Sequence, residues 1–205
     1  MPSIAEIRRR LAAHRPAMLP VAGRRQAAVA MVLRDAGPAP EVLFIERASH
    51  PGDPWSGHMA FPGGRVDPGD PDPRAAAERE TLEEVGLALA HAEPLGRLDD
   101  MSGHHAAGAD SLLISAFVYR TPGAGVLVPN HEVREAFWFP LASLLEPARF
   151  VERSVARGES FRFPGILVGE PDRHVVWGLT YRFLETFFQI VGRPLPDRWS
   201  ERRAG

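Results

Sequence analysis

The chain contains no cysteine, and all 24 of its basic residues are arginine. The first absence excludes disulfides, thiolate catalysis and cysteine-ligated zinc. The second removes a Walker-type lysine, Schiff-base chemistry and a lysine general base. No apolar stretch approaches the roughly 18 residues that a membrane span needs. The opening MPSIAEIRRRLAAHRP also has no apolar signal-peptide core. A formal net charge of −2 gives no electrostatic case for nucleic-acid binding. Neither internal repeats nor low-complexity tracts occur. A soluble, cytoplasmic protein is expected, with no membrane and no nucleic-acid partner.

What is there suffices for one globular domain: 205 residues, 44% of them hydrophobic. Ile4, Ile7 and Leu11 recur at helical spacing behind Ser3, and the proline- and glycine-containing RPAMLPVAGRR reads as a linker. Residues 1–25 are therefore expected to form an N-terminal helix and linker, 26–192 the main domain and 193–205 a tail. Strands are expected over Gln26–Leu33, Glu41–Glu46, His58–Phe61, Glu93–Asp99, Ser111–Arg120 and Val133–Phe139. Leu141–Leu145 reads as a helical turn, Gly165–Val168 with His174–Val176 as a small hairpin, and Gly178–Val191 as an apolar helix. DDMSGHHAAGAD, with His104 and His105, reads as a loop whose acids Asp99, Asp100 and Asp110 either shape a pocket or satisfy loop backbone. Paired histidines without cysteine or a spaced third histidine make a poor zinc site. Strands interleaved with two substantial helices point to an α/β fold, an α/β/α sandwich.

The most informative run is RETLEEVGL, Arg79 to Leu87. At about 100° per residue, Glu84 lies about 40° past Glu80 and Glu83 about 60° before it, so three carboxylates crowd one helix face. Like charges at these spacings weaken a helix by a few tenths of a kcal/mol per pair. A solvated acidic face is one reading; a face that carries a hard divalent cation, Mg²⁺ or Mn²⁺, is the other. The flanks define a helix from about Pro73 to Val85. Asp72 is its N-cap, Pro73 its first residue, and Gly86 sits where a left-handed C-terminal residue belongs. The loop GGRVDPGDPD, Gly63 to Asp72, leads into it. Backbone that approaches a ligand closely, followed by clustered carboxylates, suits a phosphate–metal site.

This pattern resembles the signature of the Nudix hydrolase family, G-x5-E-x7-R-E-U-x-E-E-x-G-U, where U is a bulky aliphatic. With Gly64 as the first glycine, the loop acid falls at Asp70 and the Arg-Glu pair at Arg79-Glu80. Glu83, Glu84, Gly86 and Leu87 stand where the pattern wants them. Two departures occur: Asp replaces the loop Glu, with eight rather than seven residues before Arg79, and Thr81 replaces the first aliphatic. The longer loop with Asp is similar to the family's coenzyme A pyrophosphatase branch. VLFIERASHPGDPWSGHMAFPGGRVD resembles that branch as well, at Arg47, Gly57 and Phe61-Pro62-Gly63-Gly64. Ala48 stands for its Ser, and its second Arg is missing near Gly52.

The resemblance implies a Nudix-type α/β/α sandwich with a mixed β-sheet and a catalytic loop-helix, reaching from about Ala27 to Phe188. It implies hydrolysis of a pyrophosphate bond in a small nucleotide with Mg²⁺ or Mn²⁺. Coenzyme A or an acyl derivative is the first expected substrate, with 3′,5′-ADP and 4′-phosphopantetheine as products. ADP-ribose, nucleotide sugars and nucleoside triphosphates are rivals within the family, and a non-catalytic nucleotide-binding module is a rival outside the enzyme class. Glu80 and Glu84 are expected as principal metal ligands, with Glu83 as ligand or water-orienting group and a carbonyl of Gly63-Gly64, assigned to Gly64, completing the set. Arg79 is expected to orient the carboxylates. For the general base, Glu132 in NHEVREAFWFPL competes with Glu83. Arg47, Gly63, Trp55 and Phe61 are expected to meet substrate, although a strand-end salt bridge for Arg47 and packing for Trp55 are equally open readings. A homodimer stands as an open alternative to a monomer.

Overall fold

The computed structural model describes residues 1–37, 39–50, 55–104, 111–123, 125–157 and 159–196. Its centre is a mixed sheet assembled around β1 (Arg25–Asp35), which runs parallel to β7 (Ser111–Thr121) along almost its whole length. On the other edge, β1 pairs with β2 (Pro40–Arg47) only from Leu33 to Asp35 before the two strands part. The gap between them is filled by the MAFPGGR segment. Its first strand β3 (Met59–Ala60) pairs with β2, and its second, β4 (Gly63–Arg65), pairs with β1. Phe61 and Pro62 cross from one to the other, and the Pro62 carbonyl accepts from Ala30 N–H at 2.8 Å. This crossing aims the glycine pair at the sheet face where β1 and β2 diverge.

Beyond β7 lie β5 (Glu93–Arg97) and β6 (Met101–His104), both antiparallel to it, and β8 (Val133–Pro140) covers the outer edge of β2. A second, three-stranded sheet consists of β9 (Phe150–Arg157), β10 (Glu159–Leu167) and β11 (Val175–Trp177) in the order β11-β10-β9. Two corrections to the sequence reading follow. Met101–His104 is a strand rather than loop, and the hairpin at Gly165 extends back through a full β9–β10 pair. His105 and Asp110 lie outside the described residues. Asp99 and Asp100 tie down the segment after the first helix: Asp99 Oδ1 accepts from Ala17 N–H at 2.9 Å and Asp100 Oδ2 from Leu19 N–H at 3.0 Å.

Period-two alternation along β1 and β2 sorts their side chains to two faces. Ala28, Ala30, Val32, Leu43 and Ile45 pack with Ala76, Ala77 and Val85 of helix α2 (Pro73–Val85). Met31, Leu33, Val42 and Phe44 face helices α1 (Ile4–Ala13) and α3 (Gly178–Ile190). The result is the α/β/α sandwich. α1 presents Ile7 and Leu11, one turn apart, to the core; α3 presents Tyr181, Phe183, Leu184, Phe187 and Phe188. α2 is different: it lies on the sheet through alanines, which lets its backbone come close, and it buries two polar residues, Thr81 and Glu84. The Thr81 hydroxyl satisfies itself by donating to the Ala77 carbonyl at 2.7 Å. Among the described residues, no helix is long and apolar enough to cross a membrane.

Candidate active site

Both ends of α2 are set by local chemistry. Asp72 accepts from Ala75 N–H at 2.8 Å, Pro73 follows as the first helical residue, and Gly86 closes the helix in the left-handed region at φ 70°. The helix thus begins and ends at defined residues, and the faces of Glu80, Glu83 and Glu84 are fixed relative to the glycine pair.

Glu84 is 1% exposed, and its Oε2 accepts from Gly63 N–H at 2.8 Å. Burial pushes its carboxyl up to about 8, against the opposing effects of the Gly63 hydrogen bond and the Arg47 charge; Glu80 and Glu132 add to the rise. Glu80 lies directly over Gly64. A Cβ there would overlap the Glu80 Cδ and Oε1 and stand 2.8 Å from Oε2, so any other residue would push the carboxylate out of this position. Burial raises Glu80 too, opposed by Arg79 and reinforced by Glu83 and Glu132. Gly63, at φ 149°, packs against β1 so tightly that a Cβ would stand 2.6 Å from Val29 Cα. Gly63 is therefore required by its close approach to β1, and Gly64 leaves the Glu80 carboxylate its place.

Arg79 is the main cation of the group. Its Nε and Nη2 reach Asp70 at 3.1 and 3.0 Å, Nη2 also donates to the Arg65 carbonyl at 3.1 Å, and Nη1 touches both Glu80 Oε1 and Glu83 Oε2 at 3.0 Å. Asp70, held low by Arg79 and by Asp67 N–H, anchors this guanidinium from the loop side. Glu83 is exposed. Arg47, at the end of β2, faces Glu84 closely enough to act on its ionisation. Glu132 is an exposed loop residue whose charge acts on both Glu80 and Glu84. The remaining expected residues lie elsewhere in character. Phe61 is 2% exposed and stacks on Phe44 with ring centroids 5.5 Å apart, so its ring belongs to the core. Trp55 is half-buried against the same core.

These donors fit a hard divalent cation. Two carboxylates whose burial opposes their ionisation, a third beside them and a fourth within electrostatic range face Arg79 and Arg47 as countercharges. Hard oxygen donors with surplus negative charge are what Mg²⁺ or Mn²⁺ would meet. A different trio, Glu46, Glu135 and His174, also brings its ligand atoms within 4.8 Å of one another, on the opposite sheet face. It is an ion-pair cluster. Arg173 reaches Glu46 Oε2 at 2.5 Å from Nη2 and Glu135 Oε2 at 2.7 Å. His174 Nδ1 accepts from Glu170 N–H at 3.0 Å, so the neutral ring carries its proton on Nε2 and offers the carboxylates a donor instead of a lone pair.

Sequence spacing found the acidic helix, the glycine pair and the loop acid. It missed Asn130, whose backbone and side chain join α2 to the Glu132 loop, and Arg173 with its partners. For Asn130 a signal existed, an Asn two residues before an acid, where an Asx turn forms. For Arg173 none did, because Glu46 and Glu135 are remote in sequence.

A family model described as NUDIX domain matches residues 23–157. The chain is 34% identical over 187 residues to the human mitochondrial coenzyme A diphosphatase NUDT8, covering 87% of this chain and 73% of that protein. It is also 34% identical over 181 residues to the uncharacterized Nudix hydrolase NudL of Salmonella paratyphi B, with 83% and 85% covered. An uncharacterized Schizosaccharomyces pombe protein, C14C4.10c, is 44% identical over 112 residues. That match covers 53% of this chain, which spans only 34% of the yeast protein's length. Among solved structures, a MutT/nudix family protein from Enterococcus faecalis superposes with a TM-score of 0.57 at 18% identity, over 93% of this chain and 70% of that one, and shares the fold. A motif-bearing helix seated on the expected sheet, a family model over most of the chain and relatives of this extent lead to one conclusion: the chain belongs to the Nudix hydrolase family.

Proposed function

We propose that this protein hydrolyses the pyrophosphate bond of coenzyme A or an acyl-CoA, yielding 3′,5′-ADP and 4′-phosphopantetheine, with Mg²⁺ or Mn²⁺. The observation that carries the metal-dependent reading is the buried Glu84 carboxylate, held by Gly63 N–H among Glu80, Glu83 and Glu132. The substrate reading draws on the similarity to the human coenzyme A diphosphatase and on the Arg47–Gly64 segment.

In this reading Glu80, Glu84, Glu83 and the Gly64 carbonyl hold the cation. A bound divalent ion neutralises charge on the pyrophosphate oxygens and acidifies water. Arg79 keeps the carboxylates oriented, with Asp70 bracing it from behind. Arg47, whose charge acts on Glu84, would offer its guanidinium to a substrate phosphate. Glu132 accepts the proton of the water that attacks phosphorus, while the bridging P–O bond breaks and its electron pair leaves with the departing phosphate. Gly63 lets this segment pack on β1, and Gly64 leaves room for the Glu80 carboxylate that would hold the cation.

The test is chromatographic detection of 3′,5′-ADP from coenzyme A, with Mg²⁺ and with EDTA, beside ADP-ribose, a nucleotide sugar and nucleoside triphosphates. Metal-dependent cleavage of coenzyme A, lost by orders of magnitude in Glu84→Gln, is the expected result. Turnover of ADP-ribose with coenzyme A untouched would reassign the substrate. Near-normal turnover by Glu84→Gln would remove the helix from the chemistry.

A further inference from the structure

Glu132 stands in the connection between β7 and β8, and its side chain is exposed. A proton acceptor on a free loop would lack the fixed geometry that general-base catalysis needs. Its backbone, however, is held on both sides. Glu132 N–H donates to Asn130 Oδ1 at 2.8 Å, and its carbonyl accepts from Ala48 N–H at 2.8 Å, one residue past Arg47. Asn130 is itself anchored: its N–H donates to the Glu84 carbonyl at 2.9 Å. Val128 N–H does the same for the Val85 carbonyl, at 2.9 Å. Both carbonyls belong to the last turn of α2, where no helical N–H remains to meet them. The loop therefore closes the C-terminal end of the helix that bears the acidic face.

We infer that Asn130 is a positioning residue, which sets Glu132 at a fixed place relative to Glu84 by bonding to the first through its side chain and to the second through its backbone. This rests on the reading of Glu132 as proton acceptor. The side-chain bond is an Asx turn, in which the amide oxygen takes the N–H two residues on and stiffens the chain at that point. Removal of the amide frees the Glu132 backbone at one of its two tethers. The Glu84 tether survives, since it uses the Asn130 backbone. Asn130 acts on the chemistry through Glu132 alone.

The test is a double-mutant cycle of Asn130→Ala and Glu132→Gln, with coenzyme A and Mg²⁺ and with ADP-ribose as parallel substrate. Glu132→Gln should lower kcat about a hundredfold or more. Asn130→Ala should lower kcat about tenfold and leave KM within about twofold, since the amide does not meet substrate. In the Glu132→Gln background the same change should cost less than about twofold. Asn130→Ser keeps a neutral acceptor for the same N–H and should return kcat to within about threefold of the parent. Thermal melts identify a variant that fails to fold, and Asn130→Leu, which also removes the amide at similar volume, then replaces Asn130→Ala in the cycle. Wild-type kcat in Asn130→Ala, or an equal loss in both backgrounds, would overturn the inference. If Glu132→Gln is fully active while Glu84→Gln is dead, the base assignment falls and takes this inference with it, but the metal-dependent reading stands.

Discussion

Replacing Glu84 by Gln should make the metal-free protein more stable at alkaline pH while it destroys turnover. Burial raises the Glu84 carboxyl from an ordinary 4.5 to about 8. Between those values the folded protein holds a proton that the unfolded chain has released. Stability must therefore fall as pH rises through this window, the reverse of a salt-bridged carboxylate. At about 1.4 kcal/mol per pH unit the full displacement corresponds to roughly 5 kcal/mol. Local rearrangement and water entry reduce what is realised, and we expect about 2–4 kcal/mol. Gln has the same shape, retains an oxygen for Gly63 N–H and never ionises, so it escapes this loss. For a domain of this size 1 kcal/mol moves the melting temperature by about 2–4 °C, so the variant should melt about 5–12 °C above the parent at pH 8.5 in EDTA and close to it at pH 5. Mg²⁺ should close most of that gap by stabilising the parent, by about 2.7 kcal/mol at a hundredfold excess over Kd, and the variant far less. Far-UV circular dichroism melts across pH 5–9, with EDTA and with Mg²⁺, read this directly. Parent and variant curves with the same pH slope in EDTA would refute the argument that Glu84 is held against its own ionisation.

Gly64→Ala inserts a methyl where the Glu80 carboxylate lies and should cut kcat at least tenfold with a small change in melting temperature; steady-state kinetics beside a melt would show it. Arg79→Met removes the cation that spans Asp70, Glu80 and Glu83 and should weaken Mn²⁺ binding about 10–100-fold by calorimetry, since the carboxylates lose their orientation. Arg173→Met strips the chief partner from Glu46, 1% exposed, and should lower the melting temperature by about 5–10 °C. Adding Glu46→Gln should recover most of that loss; a double variant as unstable as the single would place the cost elsewhere.

The legibility of this chain depended on how local each signal was. α2 could be bounded from sequence at Pro73 and Val85 because its caps, Asp72 and Gly86, are adjacent in the chain and act through fixed short-range bonds. The strands β1, β2 and β7 announced themselves by apolar runs that burial on both faces demands, and β8 by its aromatic AFWF run. β9 and β10 did not. Arginine and glutamate dilute FVERSVARGESFRFP, and Pro164 sits inside β10 opposite Glu152, where a proline argues against a paired strand. β6 was lost because the MSGH run, with its Ser and Gly, carries no apolar alternation, although its partner Ser111–Ile114 is the start of the next strand. In the site, the acidic face was visible in helical spacing alone. The role of Phe61 was not, since its neighbour Phe44 comes from another strand. Thr81 looked like a misfit for an aliphatic position, and its buried hydroxyl proves compatible with it by bonding one turn back.

The sheet separates two gatherings of carboxylates that composition cannot tell apart, and the balance of charge on each side is what distinguishes them. Behind the sheet, burial works to raise Glu46, but the hydrogen bonds and charge of Arg173, with the charge of Arg134, outweigh it and hold the carboxyl below its usual range. That group is complete as it stands; an added cation would have to displace a guanidinium already bonded to both carboxylate oxygens. In front of the sheet the same residue type is driven the other way. Arg79 serves Asp70, Glu80 and Glu83, Arg47 acts on Glu84 through space, and the net direction on Glu80 and Glu84 is still upward. Carboxylates left in that state bind either protons or a cation. A proton satisfies them one at a time, whereas a divalent ion satisfies several together and gains from each deprotonation it causes. The side of the sheet where arginine falls short is thus the side where metal-dependent chemistry can be sited, and the shortfall, more than the number of glutamates, is the property to seek when a single chain offers two candidate clusters.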